Sequence, residues 1–273
     1  MGLFGSNENS EDLLYHAMSL MEKGQPKGAI TLFSKEIKND PKNTEALFNK
    51  GLALNQIKKY SDAVTCFDLL LRINPNDSQA YNNKGIAMAE MGDTQAANEC
   101  YDKAIEVDPK NSASYFNKGV LLDRLQEHEG SIEFLDKAIK ADPKKINAIF
   151  YKGIVLGKLN RHEEALNCFE NVCKHNPKHL DSLFHKGIEH AELGYHEKAI
   201  NIFDQILSKH KDNINIIYAK SRSKAAVGEY NESMELLRKA ISSDGKTIRE
   251  WAKNEKIFKK FHDDDQFRKI VKL

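Results

Sequence analysis

Ten histidines and four cysteines are the side chains of this chain best able to do chemistry, and their spacing points to none. His175 and His179 flank Pro177, so no helix sets them at metal-ligand spacing. Cys168 and Cys173 stand five apart on a predicted helix, on different faces, and no pair has the C-x-x-C spacing. Cys66, Cys100 and Cys168 hold equivalent places in a 34-residue period and read as filler. No phosphate-binding glycine loop, nucleophile elbow or dinucleotide fingerprint occurs. The pair Glu163 and Glu164 and the acidic run 263–265 read as solvated charges at helix starts. The chain is therefore expected to have no catalytic residues, no metal and no cofactor. Asn49, Asn83 and Asn117 are of another kind. They also recur every 34 residues, and a carboxamide carries one acceptor and two donors.

The same period runs through the whole chain. Gly51, Gly85, Gly119, Gly153 and Gly187 are 34 apart, as are Pro41, Pro75, Pro109, Pro143 and Pro177. Ala29, Ala63, Ala97, Ser131, Ala165, Ala199 and Ser233 keep that spacing too. Seven units follow: 10–43, 44–77, 78–111, 112–145, 146–179, 180–213 and 214–247. Within a unit the apolar residues fall at helical spacing. Leu47, Gly51 and Leu54 mark one helix, and Ala63, Phe67 and Leu70 mark a second. Gly24, Gly92, Gly194 and Gly228 stand where a left-handed cap would end the first helix. Each proline ends the second, because the residue before it is pushed out of the helical region. Thr44, Ser78 and Ser112 are then expected to cap the next first helix. A single helix pair has too little apolar surface to stand alone, so the pairs must stack.

Tyr81, Gly85, Met88, Ala97, Tyr101, Ala104 and Pro109 follow the signature of the tetratricopeptide repeat, which the chain resembles over about nine-tenths of its length. The resemblance implies an all-α, right-handed superhelical solenoid. Departures cluster late. His190 and Lys224 take the bulky apolar slot, Ser221 replaces the glycine, and Lys211 and Gly245 replace the proline. Residues 248–273, with Trp251, Phe258, Phe261 and Phe267, read as helices capping the end of the stack.

In this family the first helices line a concave groove. The run Asn49, Asn83 and Asn117 resembles the asparagine ladder of some members, in which carboxamides pair with the backbone of an extended peptide. Packed helices lie about 8–10 Å apart and an extended chain advances about 3.3 Å per residue, so one asparagine meets roughly every third residue. Three such bonds, at about 0.5–1.5 kcal/mol each, fall short of the roughly 8 kcal/mol of micromolar binding. Phe48, Phe116, Phe150 and Phe184, one place earlier in their units, are the candidate anchors. Arg222, Arg249, Lys253 and Lys256 fall on inward places near the end and form a candidate pocket for a partner's acidic groups. The column Lys50, Lys84, Lys118, Lys152, Lys186 and Lys220 reads as a habit of the repeat, with stems along apolar surface and heads in water.

The formal net charge is +1, which argues against a nucleic-acid binder. No apolar stretch is long enough to span a membrane, and no signal peptide is visible, so a cytoplasmic protein with reduced thiols is expected. Met1, Gly2 and Ser6 fit the N-myristoylation pattern, but Glu8, Glu11 and Asp12 follow where a basic cluster would be needed, and residues 1–9 read as a disordered tail. The expected function is a non-catalytic adaptor that binds an extended segment of another protein. The alternative is a structural subunit that assembles, or self-associates, through its convex face or ends.

Overall fold

The computed structural model describes residues 10–243 and 245–273. The tail expected at 1–9, with Gly2, lies outside them. Among the described residues every regular element is helical. The chain divides into two compact units, the first ending at Lys145 and the second running from Ile146 to Leu273.

The first unit holds four helix pairs: α1 (Ser10–Glu22) with α2 (Pro26–Asn39), α3 (Thr44–Gln56) with α4 (Tyr60–Ile73), α5 (Ser78–Glu90) with α6 (Thr94–Val107), and α7 (Ser112–Arg124) with α8 (His128–Ala141). The second holds three more: α9 (Ile146–Lys158) with α10 (His162–His175), α11 (Leu180–Glu192) with α12 (His196–Leu207), and α13 (Ile214–Ala226) with α14 (Tyr230–Ser243). It closes with α15 (Gly245–Asn254), a 3₁₀ segment (Lys256–Phe261) and α16 (Asp265–Val271). The first helix of each pair begins at the residue where its 34-residue sequence unit begins.

Helices of 13 or 14 residues, such as α3 and α4, are marginal alone in water, so packing must hold them. The period supplies that packing. A Cβ on Gly51 would stand 2.6 Å from the Phe67 ring, on Gly85 2.6 Å from Tyr101, and on Gly187 2.5 Å from Phe203. Only a glycine lets the second helix bring its ring that close. Phe67, Phe169 and Phe203 are fully buried, each contributing about 1.5–3 kcal/mol through lost apolar exposure. Ala63, Ala97, Ala165 and Ala199, at the other crossing point, are also fully buried.

The turn inside every pair has one geometry. Gly24, Gly92, Gly194 and Gly228 have φ of +69° to +88°, as the sequence predicts. Lys58, Gln126 and Asn160 hold the same place in other pairs at φ 61°, 66° and 56°. The expected N-caps need a correction by one residue. Asn43, Asp77 and Asn111, each just ahead of its helix, accept from the amides of Ala46, Ala80 and Ser114. Ser78 and Ser112 are already helical. Their hydroxyls instead donate to the carbonyls of Ala104 and Ala138, near the end of the second helix, at 2.8 and 3.0 Å.

The departures at Ser221 and Lys224 are compensated by polar contacts. Ser221 Oγ donates to the Ser233 carbonyl at 3.0 Å and Ser233 Oγ to the Ser221 carbonyl at 2.9 Å. Lys224 reaches Glu229 at 2.5 Å and Glu232 at 3.0 Å. His190, 8 % exposed, meets the Tyr195 ring edge-on at 6.2 Å. Ile248, Ala252, Phe258, Phe267 and Val271 join Met234 and Leu237 in one core, so the terminal helices cover the seventh pair.

Candidate peptide-binding groove

All three ladder asparagines lie in the first unit, one on each of α3, α5 and α7. Asn49 Nδ2 donates to the Glu45 carbonyl at 3.0 Å and Asn83 Nδ2 to the Gln79 carbonyl at 2.8 Å, each four residues back on its own helix. Asn117 Nδ2 reaches across to the preceding repeat and donates to Asn82 Oδ1 at 2.8 Å. A carboxamide held by one N–H still has a second N–H and its carbonyl oxygen for a ligand. All three are partly exposed. Asn55, later on α3, ties the two repeats from the other side by donating to the Asn83 backbone carbonyl at 3.2 Å.

The four candidate anchors are half-buried and packed against ring or cation neighbours. Phe48 meets Phe67 edge-on at 6.1 Å, and the Lys145 ammonium stands 6.0 Å from the Phe116 ring. In the second unit Phe150 meets Phe169 edge-on at 5.7 Å and Phe184 lies 6.2 Å from Phe203. Each of these three rings is seated on the buried ring of its own pair and is itself half-buried. His185 stacks on Phe169 at 5.2 Å between Phe150 and Phe184, and burial pushes its pKa down.

The four basic candidates do not converge. Arg222 lies between two carboxylates, 2.9 Å from Glu192 and 2.6 Å from Glu255. It shares a cavity of about 530 Å³ with Lys256. Arg249 lines a different cavity, with Arg238 and Lys269. Lys253 pairs with Glu250 on its own helix at 3.4 Å. The single basic pocket expected from spacing is thus divided. Its central guanidinium is neutralised by Glu255, which the capping segment brings back over α13.

The lysine column has a structural role. Lys84 pairs with Asp68 at 2.7 Å, Lys118 with Asp102, Lys186 with Glu170 at 3.0 Å and Lys220 with Asp204 at 2.8 Å. Each bridge joins a first helix to the second helix of the preceding pair. Burial pushes the Cys66 and Cys100 thiols up, as suits inert filler. Among the described residues no group of three or more His, Cys, Asp or Glu is placed to hold a metal ion, and no helix is long and apolar enough to cross a membrane.

Sequence reading missed Asn82. It is 6 % exposed and stands in the otherwise apolar or aromatic column Leu14, Phe48, Phe116, Phe150, Phe184 and Tyr218. The break in that column was the available signal. A cavity of about 330 Å³ opens there, lined by Gln79, Asn82, Asn83, Asp108, Asn111 and Ala113.

Helix pairs packed through glycine–ring contacts, with polar carboxamides on successive first helices, define a helical-repeat scaffold for protein–protein interaction. The chain belongs to the tetratricopeptide repeat family: one family profile matches residues 14–78, 82–146 and 152–214, and a second matches 66–97. Among solved structures, the crystal structure of MamA is 26% identical over 59% of this chain and 95% of that chain, with a TM-score of 0.53. YrrB, described as a tetratricopeptide protein with an unusual peptide-binding site, is 21% identical over 69% and 97%, with a TM-score of 0.61. A tetratricopeptide repeat protein from Parabacteroides merdae is 17% identical over 97% and 99%, with a TM-score of 0.62. A comparison with curated proteins finds no match.

Proposed function

We propose that the chain is a non-catalytic cytosolic adaptor that holds an extended segment of a partner protein along the first helices of its first unit. The observation that carries this is the asparagine column. Asn49, Asn83 and Asn117 recur once per repeat, partly exposed, each engaged through a single N–H. Their remaining donor and acceptor match the two groups that every peptide backbone offers, so binding would tolerate many side chains. Phe48 and Phe116 supply apolar surface beside the ladder, and Phe150 and Phe184 offer the same in the second unit. The near-zero net charge fits a protein partner better than nucleic acid. YrrB, of similar fold, is named for a peptide-binding site, which supports the class of ligand.

The test is a peptide selected from a random displayed library on the intact chain, then titrated against wild type and the triple variant Asn49→Ala, Asn83→Ala, Asn117→Ala. Three lost hydrogen bonds should weaken binding between about tenfold and a thousandfold. Unchanged affinity, with helicity intact by circular dichroism, would end the groove reading.

A further inference from the structure

The cavity at Asn82 has chemistry of its own. In four sister repeats this place carries a phenylalanine, and in the seventh a tyrosine. Asparagine there leaves out a ring and opens about 330 Å³ between the third and fourth repeats. The lining side chains are mostly polar, with carboxamides from Gln79, Asn82, Asn83 and Asn111, one carboxylate from Asp108 and the methyl of Ala113, while almost half of the exposed wall is apolar stem and backbone carbon. None of these residues is basic.

Several of these groups are fixed in place. Asn82 is buried, with Oδ1 accepting from Asn117 at 2.8 Å. Asn111 donates to Ser78 Oγ at 2.7 Å and accepts from the Ser114 amide at 3.2 Å. Asp108 Oδ1 accepts from the Lys110 amide at 3.0 Å, which leaves its second oxygen for a ligand. The wall therefore mixes carboxamide donors and acceptors, and its one charge is the negative Asp108. Residues 44–145 around it hold sixteen acidic against thirteen basic side chains.

We infer that this notch is a recognition pocket for a lysine or arginine side chain of the bound peptide. The inference rests on the groove reading above, because Asn83 belongs both to the ladder and to the pocket wall. A peptide whose backbone pairs with Asn83 presents a neighbouring side chain to the notch. An ammonium or guanidinium has donors only and carries positive charge, so it pairs with the free Asp108 oxygen and with the remaining lone pairs of the carboxamide oxygens beside it. An acidic side chain meets Asp108 with like charge. An apolar one would strip water from four carboxamides without replacing their hydrogen bonds. The ladder accepts backbone without regard to sequence; the notch adds preference for a sequence at one position.

The test selects a random nonapeptide phage library on the intact chain and on two variants, Asn82→Phe and Asp108→Asn. Asn82→Phe places in the notch the ring that four sister repeats already carry there. Wild type should enrich Lys or Arg at one peptide position, and alanine at that position should weaken binding about tenfold. Asn82→Phe should abolish that preference, and because it also removes the acceptor that holds Asn117, unchanged selection at the other positions is read in Asp108→Asn. Asp108→Asn, an exposed change that does not threaten folding, should reduce the preference about two- to fivefold and flatten its salt dependence. Enrichment of acidic or apolar residues at every position overturns the pocket. So does a basic preference unchanged in both variants, and in either case the groove stands. A wild-type chain that enriches no peptide removes both.

Discussion

The third and seventh helix pairs close the same interface with different chemistry. In the third, Gly85 and Ala97 let Tyr101 fill the gap between α5 and α6, and Met88 completes an apolar contact. In the seventh, Ser221 and Ser233 stand at the glycine and alanine places and exchange hydrogen bonds at 3.0 and 2.9 Å. Lys224 stands where Met88 would be, paired with Glu229 and Glu232. One closure depends on volume. The other depends on satisfied donors and acceptors and on protonation. The fold accepts either because the crossing point requires a small residue above all, and a serine or an alanine meets that need.

This contrast can be broken from either side. The largest effect should come from Tyr101→Ala, which empties the third pair's core and costs about 3–5 kcal/mol, read as lost hydrogen-exchange protection in α5 and α6. Ala97→Leu overpacks the same contact and should cost about 1–3 kcal/mol by chemical denaturation. Ser221→Ala removes one hydrogen bond of the reciprocal pair and should cost about 0.5–1.5 kcal/mol in the seventh pair.

Acid should separate the two pairs. Hydrogen bonding from Lys224, joined by Lys220, holds the Glu232 carboxyl down at about 2. A depressed carboxyl stabilises the fold above its unfolded value, near pH 4.3, and that contribution is lost as pH falls from there toward 2. Because Glu232 is 42% exposed, solvent screening limits the effect to about 1 kcal/mol or less. The α14 amides should lose protection over that window in wild type, and Glu232→Gln should remove the pH dependence. The smallest effect is a gain. Gln126 sits at φ 66° in a turn that takes glycine in four other pairs, so Gln126→Gly should stabilise the fourth pair by about 0.5–1 kcal/mol, read from its melting curve.

The helix pairs were legible because a 34-residue period fixes which residues must be small, bulky or helix-ending in every unit at once. Caps were displaced by one residue, since Asn43 and Thr44 are both good capping types and only backbone geometry separates them. The asparagine column was visible, but its hydrogen-bond partners were not, because a carboxamide can turn to its own helix or to the next. The lysine column hid its purpose in a second column: Asp68, Asp102, Glu170 and Asp204 keep the same period, yet pairing between helices is a fact of three dimensions. The four basic residues are spread over separate places for a related reason. Repeat phasing gives no place for Glu255, which lies in a capping segment outside the period.

The most direct measurement is a structure of the intact chain bound to a selected peptide. The peptide should lie extended across α3, α5 and α7, with the carboxamides of Asn49, Asn83 and Asn117 each within hydrogen-bond distance of its backbone. A peptide seated on the second helices of the pairs, or bound with its backbone clear of all three asparagines, would contradict the account.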